Sequence, residues 1–253
     1  MSDLDLVEVA EGFECYTPAT GNPVLTEAKL IYDEIFGRNT YLSGLAPINP
    51  KGLVVDAGAN IGLFTLFIKN RYPEASVLAV EPIPDNVEAL RANLRHHKAS
   101  GVTVHPTALS DVPGTAEFYF FPSMPGNSTA HLAEKLKDKQ TVAKYANPTI
   151  AEQLYRNEAL QVPTTPLSDL LPPNVEIDLI KMDIEGSEEA ALAGIEDQDW
   201  KRIRQMAIEV HETRSTLDRV LESLRSRGFT ARAQSPEEAP KGIDNRIVYA
   251  TRP

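Results

Sequence analysis

The sequence predicts an α/β fold: a mostly parallel β-sheet with helices on both faces. Three observations predict it. Short apolar runs alternate with helix-period segments from residue 53 to 105 and again from 175 to 251. The apolar run at 53–56 leads straight into a glycine-bearing turn and an amphipathic segment, as a strand feeds a helix in a βαβ unit. With 253 residues, 42% of them hydrophobic and 24% charged, the chain can bury a substantial core as one large domain with a modest lid.

Taken in order, residues 1–50 read as an N-terminal cap segment with a helix at 26–36, where Ile31 and Ile35 share a face and Gly37 can stop the run. The main domain spans 51–253. It opens with a strand at 53–56 and a helix at 61–69, then a strand at 76–81, a helix at 85–97 and a strand at 102–105. Asp85 and Glu88 have capping-box spacing, and Val87, Leu90 and Leu94 form one apolar face. After the Pro113-Gly114 turn, 115–121 alternates as another strand. Residues 122–166 are polar and proline-punctuated, weakly helical at 130–144 and 150–160, and read as an inserted lid with no strand of the main sheet. Alternation resumes with a strand at 175–183, a helix at 187–193, a strand at 205–210 and a helix at 216–227 ended by Gly228. Strands at 229–233 and 246–251 can then pair antiparallel at the sheet edge.

Composition excludes several functions. With 25 basic and 36 acidic residues the net charge is −11, which repels a phosphate backbone, and the basic runs at 91–98 and 201–204 fall on helix faces or ends. No nucleic-acid partner is expected. The single cysteine, Cys15, precludes an intramolecular disulfide and a cysteine-based zinc cluster, in keeping with a reducing cytoplasm. The first 14 residues are acidic without an apolar segment, and no later run approaches the ~20 apolar residues that span a bilayer. A cytoplasmic protein without a membrane partner is expected.

The strongest local motif is Val54-Val55-Asp56-Ala57-Gly58-Ala59-Asn60-Ile61-Gly62. Glycine lets a ligand approach the main chain, and the helix that follows presents free N–H groups. Counted from Gly58, Asn60 and Leu63 stand where a dinucleotide fingerprint has its second and third glycines, so close approach of a pyrophosphate is disfavoured. Asp56 instead suits an ammonium or a sulfonium. Glu81, at the end of the second strand, can accept both ribose hydroxyls. In Lys181-Met182-Asp183-Ile184-Glu185-Gly186, Asp183 and Glu185 point the same way if the strand persists, as candidates for a general base. In Ile208-Glu209-Val210-His211, His211 is the other base candidate. Asp183, Glu209 and His211 together could hold a divalent cation such as Mg. His131, beside Gly126-Asn127-Ser128-Thr129 in the lid, is with Ser128 a candidate contact for the acceptor.

These motifs resemble the FkbM-type methyltransferases over roughly residues 32–211. The likeness rests on Asp56-Ala57-Gly58-Ala59-Asn60-Ile61-Gly62 and Glu81-Pro82 taken with residues 181–186. Upstream, Tyr32-Asp33-Glu34-Ile35-Phe36 and Tyr41-Leu42 are similar to the segment preceding the glycine turn in members associated with polyketide and peptide natural products. The resemblance implies a Rossmann-like class I methyltransferase sheet of about seven strands, the last antiparallel, with S-adenosylmethionine over the first two. It implies Asp56, Gly58, Ala59, Asn60 and Gly62 around the methionine end, together with Asp183. It places Glu81 and Pro82 at the ribose, Ile83 against adenine, Thr107, Ala108 and Leu109 at the base edge, and Tyr41 near the acceptor. The implied reaction is O-methylation of a hydroxyl on a small-molecule natural product or sugar, with the lid closing over it. Two alternatives stand beside it: an NAD-dependent oxidoreductase, which the missing second glycine disfavours, and a non-catalytic partner protein that binds an adenosine cofactor. Oligomeric state is left open, with Trp200 a candidate interface residue.

Overall fold

Gly12, at φ +72°, lets the chain reverse between strands β1 (Leu4–Ala10) and β2 (Phe13–Pro18). This antiparallel hairpin opens the computed structural model, which describes residues 3–19, 27–145, 148–211, 214–235 and 246–252. The hairpin is an addition to the sequence reading of residues 1–50. The expected helix appears as α1 (Glu27–Tyr32) followed by a π-helical turn, Asp33–Gly37, and its expected start at Thr26 lies outside the described residues.

The main domain then runs β3 (Leu53–Ala57), α2 (Leu63–Arg71), β4 (Ser76–Val80), α3 (Pro84–His96) and β5 (Val102–His105). Helix α3 begins one residue before the expected capping box. Pro84 occupies its first turn, and Ile83 is the N-cap, whose own side chain makes no cap hydrogen bond. Next come β6 (Ala108–Leu109), β7 (Gly114–Phe120), a 3-10 turn at Pro125–Asn127, α4 (Leu132–Tyr145), α5 (Pro148–Leu154) and β8 (Glu158–Thr165). The helix expected at 150–160 therefore stops at Leu154, and its last residues begin β8. Strands β6, β8 and β7 form a separate three-stranded sheet in that order, so the described residues of 122–166 contribute no strand to the main sheet.

The chain finishes with α6 (Leu167–Leu170), β9 (Ile177–Met182), α7 (Glu188–Ala193), α8 (Asp197–Trp200), β10 (Gln205–Val210), α9 (Arg214–Ser226), β11 (Thr230–Gln234) and β12 (Arg246–Thr251). The main sheet has seven strands in the order β11-β12-β10-β9-β3-β4-β5. The five from β10 to β5 are parallel, and β12 lies antiparallel between β10 and β11, as the Rossmann-like class I methyltransferase expectation requires.

Alternation along β3 and β9 splits the core in two. Val55, Ile180 and Ile208 pack on one face of the sheet, and Val54, Leu179 and Ala207 on the other. Each buried Val, Leu or Ile side chain among them contributes about 1.5–3 kcal/mol. Trp200 is buried in the first of these clusters beneath Arg227 and edge-on to Phe229, so it is not a surface contact. Among the described residues no helix is long and apolar enough to cross a membrane.

Candidate active site

The carboxyl ends of β3, β4, β9 and β10 open into one cavity of about 690 Å³, where parallel sheets bind ligands. Its β3–β4 side is built by the glycine turn. Gly58 and Ala59 donate their N–H groups to the carbonyl of Val80 at 3.0 and 2.9 Å, pinning the turn to β4. Gly58 at φ +73°, Asn60 at +48° and Gly62 at +89° take left-handed conformations, Gly62 as the N-cap of α2.

Asp56 lies below this floor, fully buried, and does not line the cavity. Its carboxylate accepts from the Thr65 hydroxyl at 2.7 Å and faces the Lys181 ammonium at 3.4 Å. Lys181 in turn donates to the carbonyl of Gly58 at 2.7 Å, so the pair ties the end of β3 to the end of β9. Burial raises the Asp56 carboxyl, and Lys181 and Thr65 oppose it.

Glu81 faces the cavity and fastens the turn to α3. Oε2 accepts from the N–H of Asn60 at 2.8 Å, and Oε1 accepts from Ile83 N–H at 3.0 Å and Asn86 Nδ2 at 3.2 Å. Burial pushes its carboxyl up to about 7 despite those hydrogen bonds. Asn60 Oδ1 and Asn86 Oδ1 are buried in this wall with no donor facing them among the described residues. Pro82, Thr107, Ala108 and Leu109 complete this side. Ile83 does not; it packs behind it with Phe118, Phe120 and Val162. Gly62 is likewise absent from the wall.

The other end gathers the charged candidates. Strand β9 stops at Met182, so strand alternation does not align Asp183 with Glu185. A turn with Glu185 at φ +54° and Gly186 at +101° does so instead, a strained conformation for a glutamate. His211 Nε2 lies 3.5 Å from Asp183, 3.4 Å from Glu209 and 3.6 Å from Glu185. The buried hydroxyl of Tyr41 lies 2.9 Å from Asp183 Oδ2 and 3.0 Å from Glu209 Oε2, one proton shared between two carboxylates.

This crowding sets the charges. Burial first, and then the charge of Glu209, raises Asp183 to about 6 against the pull of Lys181 and His211. Burial with Glu209 and Asp183 raises Glu34, on the π-helical turn, to about 8. Burial alone would lower His211, but Glu185, Glu209 and the hydrogen bond to Glu188 raise it well above its ordinary value. Ligand atoms of Asp183, Glu209 and His211 all lie within 4.8 Å of one another, close enough to hold one cation.

A roof closes the cavity from the segment expected as a lid. Gly126 N–H and Asn127 Nδ2 donate to Glu27 of α1 at 2.9 and 3.3 Å. Lys135 of α4, almost buried, donates to Asn127 Oδ1 at 2.8 Å and pairs with Glu185 at 2.6 Å. Ser128 and His131 both line the cavity. The Ser128 hydroxyl donates to the carbonyl of Pro125 at 2.8 Å, and His131 Nε2 is 3.4 Å from the Ser187 hydroxyl. Sequence reasoning did not single out Glu27, Glu34, Asn86, Lys135 or Glu188. Glu34 lay inside the noted 32–36 stretch, and a polar Asn86 among the apolar positions of α3 was a usable signal. Lys135 had none, since a lysine in a polar helix reads as solvated.

The family model for the methyltransferase FkbM domain matches residues 56–231. The chain is 31% identical, over the full length of both, to "Methyltransferase 1" of Beauveria bassiana (strain ARSEF 2860). It is 36% identical to "31-O-demethyl-FK506 methyltransferase FkbM" of Streptomyces tacrolimicus, over 82% of this chain and 84% of that one. Among solved structures, the methyltransferase FkbM of Methylobacillus flagellatus KT superposes with a TM-score of 0.56 at 21% identity, over 86% of this chain. This chain spans about half of it, 47%.

Proposed function

The chain belongs to the methyltransferase FkbM domain family, and on that premise we propose that it transfers a methyl group from S-adenosylmethionine to a hydroxyl of a small molecule, such as a natural product or a sugar. The observation that carries this reading is one continuous cavity with adenosine-type chemistry at one end and a carboxylate corner at the other. At the first end Glu81 offers a buried carboxylate, and Asn60 and Asn86 offer buried acceptor oxygens that no protein donor meets. These features fit the cofactor. Gly58, Ala59, Asn60, Glu81 and Pro82 would hold its nucleoside and amino-acid parts, with Thr107, Ala108 and Leu109 at the base. When bound, S-adenosylmethionine supplies an electrophilic methyl group on a sulfonium for in-line displacement.

The chain's own residues supply the rest. Asp183, its carboxyl raised to about 6, is ionised at neutral pH yet basic enough to accept a hydroxyl proton. His211, held cationic by its carboxylate neighbours, has no free lone pair, so Asp183 is the better base. Glu185 holds Lys135 and with it the lid helix α4. Ser128, His131 and Tyr41 border the acceptor end, and residues 122–166 act as the lid that keeps water from it. The 1–50 segment caps the same cavity through Glu27 and Tyr41.

Calorimetric titration with S-adenosylmethionine, S-adenosylhomocysteine and NAD in parallel tests the donor site. Micromolar binding of the two sulfur ligands is expected, weakened roughly 10- to 100-fold in Glu81→Ala by loss of one charge-assisted hydrogen bond. Binding of NAD alone would sink the proposal. A panel of hydroxylated acceptors, assayed by transfer of labelled methyl, tests the reaction. Asp183→Asn that keeps cofactor binding but transfers as fast as wild type removes Asp183 as base, and wild type that binds but never transfers leaves a cofactor-binding partner protein.

The gathering of Asp183, Glu209 and His211 favours a second reading, a divalent cation such as Mg at the acceptor. The Lys181 ammonium, 3.7 Å from Asp183, competes with it. Activity lost on chelation and restored by Mg supports the cation; activity indifferent to chelator excludes it.

A further inference from the structure

We propose that Glu188 is the positioning residue of the acceptor corner, holding the His211 ring with Nδ1 inward so that Nε2 is presented to Asp183 and Glu209. The proposal rests on the reading of that corner as the acceptor end.

Glu188 stands in the first turn of α7 and is fully buried. An acid in a first helical turn complements the helix dipole, and that would be a sufficient account if it were exposed. Its neighbour Glu189 already serves that purpose from the outside, in a bidentate pair with Arg219 at 2.7 and 2.7 Å. A second acid in the same turn, taken wholly out of water, needs a partner inside. That partner is His211. Glu188 Oε1 lies 3.4 Å from His211 Nδ1 and also accepts the N–H of Gly186 at 3.0 Å. The left-handed Glu185-Gly186 turn aims that N–H at the carboxylate, so the oxygen facing the ring is itself held in place.

The ring needs such a reference. Nε2 faces Asp183, Glu209 and Glu185 at 3.4–3.6 Å, and Nδ1 faces a fourth carboxylate at the same range. With carboxylates on both edges, distance alone does not choose an orientation. Glu188 does, because it reaches the ring from α7, behind the corner, and is anchored to the main chain. A histidine whose inner nitrogen donates to a carboxylate presents its outer nitrogen in a fixed direction, here toward Asp183 and Glu209.

The test uses full-length protein labelled with ¹⁵N-histidine, in which long-range proton–nitrogen correlations resolve the 5 histidines. His211→Asn assigns the resonances. The proposal expects a low-field, slowly exchanging proton on His211 Nδ1 in wild type that moves upfield in Glu188→Gln. The amide of that variant preserves side-chain volume and can still accept from Gly186, so its melting temperature should stay near that of wild type. On an acceptor found by the panel above, Glu188→Gln should lower kcat roughly 10- to 100-fold at unchanged KM for S-adenosylmethionine, and Glu188→Asp should recover part of the loss. A His211 spectrum identical in wild type and Glu188→Gln overturns the proposal, as does a variant that loses stability while kcat is unchanged, which would make Glu188 a helix cap alone. S-adenosylhomocysteine binding on the same samples separates the two readings. Its absence in wild type defeats the donor site, whereas the Glu188–His211 coupling is read from the spectrum regardless.

Discussion

A single missing atom shapes the floor of the cavity. At Gly58 a Cβ would overlap the main-chain oxygen of Asp183, and φ is already +73°. The carboxyl ends of β3 and β9 are therefore locked at a distance only glycine permits, with Lys181 bridging them to Asp56. Gly58→Ala should lose at least ~3 kcal/mol from strain and displacement together, roughly 6–12 °C in melting temperature for a chain of this size. Thermal denaturation of the purified variant checks this, and a drop below 2 °C would mean that the turn relaxes freely. At this scale the sequence was legible where chemistry and backbone coincide: Gly58, Asn60 and Glu81 all stand in the cavity wall. It was not legible where burial decides direction. Asp56 reads as a strand-end acid facing ligand, yet Thr65 and Lys181 draw it beneath the floor, a pairing across more than a hundred residues that no local pattern encodes.

Between residue and molecule, the elements that escaped the sequence reading did so for separate reasons. Among the described residues strands β1 and β2 pair only with each other, so their periodicity is partly polar, and the Glu11-Gly12 reversal was the remaining signal. Strand β8 carries Pro163, which argues against a strand. Yet it pairs along its length with β7 and only through Thr164 and Thr165 with the two-residue β6. The π-helical turn at Asp33–Gly37 has no sequence signature either, though such turns collect at functional sites. It sets Glu34 against the acceptor corner and gives the fold a pH dependence of definite sign. Glu34 rises from 4.5 to about 8 and Asp183 from 3.8 to about 6, both by burial and by neighbouring carboxylates. The folded chain keeps protons that the unfolded chain has released, so this stabilisation is complete below about pH 4 and is lost as pH climbs through 6 and then 8. The ligand-free melting temperature should fall between pH 5 and 8.5. Glu34→Gln should flatten the upper half of that fall, and an unchanged slope in the variant would place the titration elsewhere.

The cavity as a whole is assembled from parts that lie far apart in sequence. Glu27 and Tyr41 come from the first fifty residues, Gly126 and Lys135 from the roof, Glu81 from β4, and Glu209 and His211 from the end of β10. The class of sheet and the glycine-turn end of the cavity were legible because their motifs are contiguous, strand into turn into helix, although Asp56, Gly62 and Ile83 stand outside the wall. At the carboxylate corner Tyr41, Ser128, His131, Asp183, Glu185, Glu209 and His211 were each legible from their own motifs and all line the cavity, whereas the convergence of these separate segments, with Glu34 and Lys135 among them, only the fold produces. The same dispersal has an energetic consequence. A ligand that fills the donor end touches the glycine turn and the roof at once, and Gly126 already sits so close that a Cβ there would meet Asn60 Nδ2 at 2.9 Å. Binding should therefore stabilise the fold as one unit. At a hundred times its dissociation constant, S-adenosylhomocysteine should add about 2.7 kcal/mol, which for a chain of this length is roughly 5–11 °C in melting temperature. NAD at the same concentration should add nothing, because Asn60 and Leu63 hold the glycine positions a pyrophosphate needs. Scanning both ligands against wild type and Glu81→Ala gives the answer in one experiment. A shift by S-adenosylhomocysteine that Glu81→Ala shrinks ties the donor to this cavity. A shift that survives the substitution intact would move the donor elsewhere and remove the proposed role of Asp183 as base.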